Sequence, residues 1–171
     1  MTSHETTSHE TRAVAIRHPD AAETLGSDQA RMRLLIDADE TGGSVSTLEV
    51  TLARGADGAM PHYHTRSDEL FYIAEGELQL LAGDRIITVA EGGSVVVPRN
   101  MPHAFGATAD STARILIALM PGVERFEYFR LLDRINRGTA TLADLSAAQD
   151  EFDNHFVDAP TWWAERDAQR R

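Results

Sequence analysis

The chain has 171 residues, 42% of them hydrophobic and 25% charged, which is the composition of one ordinary globular domain rather than of a disordered chain. Its formal net charge of −11, from 27 Asp+Glu against 16 Lys+Arg, argues against a nucleic-acid partner and against an anionic membrane surface, since both select basic faces. It has no cysteine, which excludes disulfides, thiolate metal ligands and cysteine nucleophiles.

The N-terminus, MTSHETTSHETRAV, has neither a basic leader nor an apolar run, so no signal peptide is expected. No apolar stretch approaches the roughly 18 residues a membrane span needs, and a cytoplasmic protein is expected. Residues 1–11 contain the direct repeat TSHET-TSHET, which lacks core-forming residues and reads as a disordered tail with His4 and His9 solvated. Residues 12–122 carry a β pattern. RAVAIR, RMRLLIDA, STLEVTLA, ELFYIAEG, ELQLLAG, RIITVAEGG, SVVVP, HAFGAT and ARILIALM are short runs, many of them separated by turn residues, as in an all-β sandwich or barrel. Hairpin turns are expected around Gly76 and around the Gly83–Asp84 pair. From residue 123 to 171 the period becomes helical. Phe126, Phe129, Leu132 and Ile135 recur every 3 to 4 positions before Gly138. Thr141 and Asp144 resemble a capping box opening a second helix, whose apolar face is Leu142, Leu145 and Phe152. PTWWAERDAQR reads as a third helical piece, and simple packing on the barrel is the expected role of all three.

The segment MPHYHTRSDELFYIAEGE, residues 60–77, concentrates polar groups in a strand-like run. His62 and His64 are two apart, so on a strand both imidazoles face one space. Glu69 follows, alternating with Phe71 and Ile73, which is the pattern of a carboxylate placed inside an apolar cavity. Such a charge is costly unless it is paired or bound to a cation. In GGSVVVPRNMPHAF, His103 opens a strand with Phe105 on its face. Hydrogen bonding, surface exposure and a metal are the alternatives. Three imidazoles and a carboxylate suit Zn, Fe, Ni, Mn or Co without choosing among them. His155 lies outside this pattern and reads as a surface or helix-end histidine.

These residues resemble the two motifs of the cupin family. His62-Tyr63-His64, four residues, Glu69, six residues and Gly76 correspond to the first. Gly92, five residues, Pro98, and then His103 correspond to the second. The 15 residues between Gly76 and Gly92 are typical of small cupins. Three positions depart from the family: Ala56 stands at the first glycine, with Gly55 and Gly58 nearby, Asn100 replaces the glycine after the proline, and Ala107 replaces the closing Asn. The resemblance implies an all-β double-stranded β-helix (jelly-roll) barrel with a C-terminal helical extension. It implies one divalent transition metal per chain (Fe, Ni, Mn, Co, Zn or Cu) on His62, His64, Glu69 and His103, and Glu69 as catalytic base. Phe71, Ile73 and Phe105 are expected to wall the substrate pocket. The expected activity is a dioxygenase acting on a small enolic, phenolic or flavonol-like compound. A non-redox polyketide cyclase or isomerase and a non-catalytic small-molecule-binding barrel are the alternatives. Apart from that substrate, the expected partner is a second copy in a homodimer.

Overall fold

The computed structural model of the chain describes residues 13–170, so the TSHET repeat lies outside the described part. The strands are β1 (Glu23–Gly26), β2 (Ala30–Ile36), β3 (Ser46–Leu52), β4 (His62–Tyr63), β5 (Asp68–Ala82), β6 (Arg85–Ala90), β7 (Ser94–Val97), β8 (His103–Ala107), β9 (Ala113–Met120) and β10 (His155–Phe156). The helices are α1 (Phe126–Asn136), α2 (Leu142–Ala147), α3 (Gln149–Phe152) and α4 (Pro160–Gln169). Every pairing is antiparallel. One sheet runs β1-β2-β3-β9-β5-β7, and the other runs β6-β5-β8-β4-β10. The two-sheet jelly-roll barrel is as expected.

Alternation builds the core. On β3, Ser46, Leu48, Val50 and Leu52 are buried, and on β9, Ala113, Ile115, Ile117 and Leu119 are buried. The register sets Leu48 opposite Ile117 and Val50 opposite Ile115, so the inward sets of the two strands coincide. β5 belongs to both sheets: residues 68–76 pair with β9, and residues 77–82 pair with β6. This corrects the expectation at Gly76. The chain does not turn back there but continues through a bulge between Ile73 and Glu75. Gly76 sits at φ +75°, and a Cβ would overlap the Thr112 carbonyl. Its glycine marks the bend at which one strand changes sheets. The Gly83–Asp84 hairpin does form, with Ala82 opposite Arg85.

RAVAIR is not a strand. From residue 13 the segment is irregular, and Val14 and Ile16 are exposed. β1 occupies the free edge of β2, which leaves this run no ladder to join. It is held instead by Arg17, which donates to the Leu35 carbonyl and pairs with Glu40.

The helical part shares the barrel's core. Tyr128, Phe129 and Leu131 of α1, Leu145 of α2 and Phe152 of α3 pack in one cluster with the strand residues. Gly138, at φ +73°, follows α1. Thr141 and Asp144 form the capping box in both directions, while Leu142, expected on the apolar face, is exposed. On α4, Trp162 packs against Leu81 and Ala104. Arg166, 1% exposed, donates to the carbonyls of Gly55, Ala56 and Ala107 and pairs with Asp57. Among the described residues no helix is long and apolar enough to cross a membrane.

Candidate metal centre

Four buried side chains converge between the two sheets. His62 on β4 stands opposite His103 on β8, Glu69 comes from β5, and His64 follows β4 directly. One nitrogen or oxygen from each of these residues lies within 4.8 Å of all the others. Glu69 Oε2 is 2.7 Å from His103 Nε2 and 3.1 Å from His64 Nε2. The ring of His62 tilts against that of His103, with centroids 4.2 Å apart.

The outer nitrogen of each ring is committed. His62 Nδ1 donates to the Met60 carbonyl at 2.8 Å, and His103 Nδ1 donates to the Met101 carbonyl at 2.9 Å. His64 Nδ1 donates to the Asp153 carbonyl at 2.6 Å. A carbonyl only accepts, so the proton of a neutral ring sits on Nδ1 and the Nε2 lone pair points inward. Carbonyl anchors of this kind orient metal-ligating histidines. Burial pushes His62 well below the usual imidazole value, with the neighbouring His103 and His64 adding to this. Burial likewise lowers His64, and Arg125 adds to the shift. Burial on its own would raise Glu69, and it is protons on the Nε2 atoms of His103 and His64, when present, that outweigh burial and hold the carboxyl well below the usual range. The result is a cluster of lone pairs and one carboxylate oxygen in a dry space. Protons on Nε2 or a shared cation are the two ways to satisfy it, and burial disfavours the protons. The residues therefore fit a divalent metal ion.

The cluster opens into a cavity of about 220 Å³. His62, Glu69 and Phe105 line it, together with Leu48, Val50 and Leu52 of β3 and Tyr128, Phe129 and Leu132 of α1. Gly58 lines it too, and a Cβ there would overlap the Phe105 ring. Of the three expected wall residues, Phe105 lies on the cavity, whereas Phe71 and Ile73 lie in the solid core. The cavity lies towards β2, β3 and α1, while β5 runs the other way past Glu69. Phe71 packs edge-on against Phe105 with centroids 5.4 Å apart, and Ile73 faces Ile115 in the ladder.

Three residues of the site come from the C-terminal segment. Arg125 precedes α1, is 3% exposed and lines the cavity, as does Asn154. Asp153, at φ +51°, supplies the carbonyl that holds both His64 and Arg125 Nη2. Its carboxylate accepts from the backbone of Thr65 and Arg66 and from the Thr65 hydroxyl. The traces in the sequence are faint: an Asp-Asn pair suited to a left-handed turn, and an arginine where a helix cap is usually a small polar residue. His155 is half-buried and stacks on Tyr63, outside the four-residue cluster. Asn100 takes the left-handed backbone of the glycine it replaces, at φ +64°, and its N–H donates to the His64 carbonyl.

Residues 48–119 match the cupin domain family. That stretch of the barrel is a cupin domain. The chain is 27% identical to a polyketide synthase, CurC, of Streptomyces cyaneus over 111 residues, covering 64% of this chain and 70% of that protein. It is 29% identical to quercetin 2,3-dioxygenase of Aspergillus japonicus over 127 residues, covering 69% of this chain and 35% of the dioxygenase. Among solved structures, the polyketide cyclase RemF of Streptomyces resistomycificus superposes with a TM-score of 0.52 at 22% identity, over 64% of this chain and 80% of that one. That likeness is one of fold.

Proposed function

We propose that this cupin is a metal-dependent, non-redox enzyme that enolises and cyclises or isomerises a small 1,3-dicarbonyl of polyketide type. The observation that carries the reading is the disposition of Glu69. Both of its close imidazole contacts fall on Oε2, and the residue lines the cavity. Its other oxygen is free of the imidazoles and so available to take a proton from a molecule in the cavity. A carboxylate is a weak base, and it removes protons from acidic carbons such as one between two carbonyls.

A divalent ion on His62, His64, Glu69 and His103 would supply Lewis-acid polarisation of the substrate oxygens. The chain's own residues do the rest. Met60, Met101 and Asp153 hold the three imidazoles in orientation. Leu48, Val50, Leu52 and Phe129 exclude water from the apolar side. Glu69 takes the proton from the carbon acid and can return it to another carbon or oxygen, which moves unsaturation without consuming an oxidant. The similarity to CurC supports this reading.

The similarity to quercetin 2,3-dioxygenase favours an oxygenase using the same carboxylate as the second reading. An oxygen electrode separates them. Turnover of a 1,3-diketone to a product isomeric with its substrate, or lighter by one water, with no oxygen uptake, is expected. Stoichiometric oxygen uptake overturns the proposal in favour of the second reading.

A further inference from the structure

Two buried donors on the cavity have no partner. Arg125 makes its side-chain contacts through Nη2 alone, to the Asp153 carbonyl at 2.8 Å and beside His64 Nδ1 at 2.8 Å. Its Nε has no hydrogen-bond partner, and neither does Asn154 Nδ2. Both residues line the cavity that holds Glu69, and they are 3% and 2% exposed. Buried donors are nearly always satisfied in folded proteins, so two orphans within residues that line one cavity point to a ligand oxygen beside them, reached by a small shift of the side chains.

The charges point the same way. The two carboxylates whose charge acts on the Arg125 guanidinium are already engaged. Asp153 is turned to Thr65 and Arg66, and Glu69 to the imidazoles. With a divalent ion on the four ligands, Glu69 is the one acid lining the cavity, so the space carries excess positive charge. A buried guanidinium without an anion is costly, and an arriving anion removes that cost. The rest of the wall, from Leu48, Val50 and Leu52 to Phe129 and Leu132, is apolar. The volume, about 220 Å³, exceeds the roughly 150 Å³ that accommodates a benzene ring.

We propose that Arg125 and Asn154 form an anion-recognition pair, and that the substrate is a small amphiphilic acid. Its charged oxygen, carboxylate or enolate, is held by the Arg125 guanidinium and the Asn154 amide beside the metal ligands, and an apolar part no larger than about one ring lies against β3 and α1. This deepens the function proposed above and rests on it for the identity of the reacting site.

The probes are acetoacetate, which carries a carboxylate, acetylacetone, which can offer only an enolate, and methyl acetoacetate, which has no carboxylate and enolises less readily than the diketone. Each is titrated calorimetrically into zinc-loaded and chelator-treated protein. Acetoacetate is expected to bind the zinc-loaded wild type at least about 10-fold tighter than its methyl ester. Arg125→Met should weaken acetoacetate about 10- to 100-fold, the effect of losing one hydrogen bond to a charged group, with zinc content kept and the ester changed less than about twofold. Arg125→Lys and Asn154→Asp guard against misfolding of the first variant. The lysine should recover part of the affinity, and the aspartate, placing a like charge at the anion, should lose at least as much as Arg125→Met. Dependence of acetoacetate alone on Arg125 identifies the carboxylate as the held group, and dependence of acetylacetone as well identifies the enolate. Acetoacetate affinity within twofold of wild type in folded, zinc-replete variants, or no acetoacetate binding to the wild type at millimolar concentration, overturns the inference and leaves the donors to water. The first of these results with diketone turnover intact sinks only this inference. A protein that takes no zinc yet binds acetoacetate through Arg125 sinks the metal-dependent function and leaves the anion pair standing.

Discussion

Asp153→Ala tests how the C-terminal segment holds the metal centre. The carboxylate is 0% exposed and accepts from Thr65 N at 2.8 Å, Thr65 Oγ1 at 2.6 Å and Arg66 N at 2.9 Å. A hydrogen bond to a charged group contributes about 1.5–3 kcal/mol. Thr65 and Arg66 are exposed, so water replaces part of what they lose, and the expected cost is about 3–4 kcal/mol rather than the full sum. For a chain of this length that is a fall in Tm of roughly 10 °C. The same turn presents the carbonyl that accepts from His64 Nδ1 and Arg125 Nη2. Once its anchor is gone, His64 loses its orientation, and zinc affinity should fall about 10- to 100-fold. Melting followed by circular dichroism measures the first effect, and competition with a chromophoric chelator measures the second. Asp153→Gly relieves the φ of +51° but restores none of the bonds, so it should behave like the alanine variant. A melting temperature within 2–3 °C of the parent, together with unchanged zinc affinity, would refute the assignment of Asp153 as the anchor of His64 (both margins set by the roughly 10 °C expected).

Further outcomes follow from the same contacts. Burial alone would raise the Asp153 carboxyl, but hydrogen bonds from Thr65 and Arg66 outweigh it and hold it below its ordinary 3.8. A lowered folded value means that its contribution is complete above pH 3.8 and is lost as pH falls through the folded value, so the gap in Tm between wild type and Asp153→Ala should be constant from pH 5 to 7 and narrow below pH 3.8. A gap that widens in acid contradicts this. Arg166→Met leaves the Gly55, Ala56 and Ala107 carbonyls without their donor at the foot of α4, and should cost about 3–5 kcal/mol in denaturant unfolding with zinc content unchanged. A loss under about 1 kcal/mol would show that water serves those carbonyls equally well. Glu69→Gln should keep half or more of the metal and lose about 10²–10⁴-fold in turnover of a diketone substrate, because an amide cannot take the proton. Turnover near the parental rate would reduce Glu69 to a ligand.

The four clustered residues are legible in the sequence because their geometry is local. Two imidazoles at i and i+2 share a face wherever the backbone is extended, and Glu69 alternates with Phe71 and Ile73 on β5 as the pattern requires. The hairpin at Gly83 is legible for the same reason. Gly76 misleads because a glycine with positive φ serves a hairpin and a sheet-changing bulge equally well. Only the Thr112 carbonyl packed against it decides between them, and that residue lies 36 positions away, just before β9. Phe71 and Ile73 read as cavity residues because periodicity reports which face is buried, not whether the buried face meets another side chain or empty space. Their depth is set by Phe105 and Ile115, which no local pattern contains.

The chemistry is hardest to read because the ligand set is shared by redox and non-redox uses. What biases this site lies outside residues 48–119, in the part of the chain beyond the family match. Arg125 and Asn154 are separated from His64 by 61 and 90 residues, and they reach it only because Tyr128, Phe129 and Phe152 dock the helices into the barrel's own core. The helical extension therefore does more than cover the strands. Its apolar residues supply the energy of docking. The polar residues at its two turns, Arg125 before α1 and Asp153–Asn154 after α3, are carried by that docking to the cavity, where Arg125 Nε and the Asn154 side-chain amide meet no protein acceptor. A barrel with the same four ligands but a different extension would keep the metal site and present a different wall to its substrate, so the choice of reaction is expected to follow the extension rather than the metal ligands.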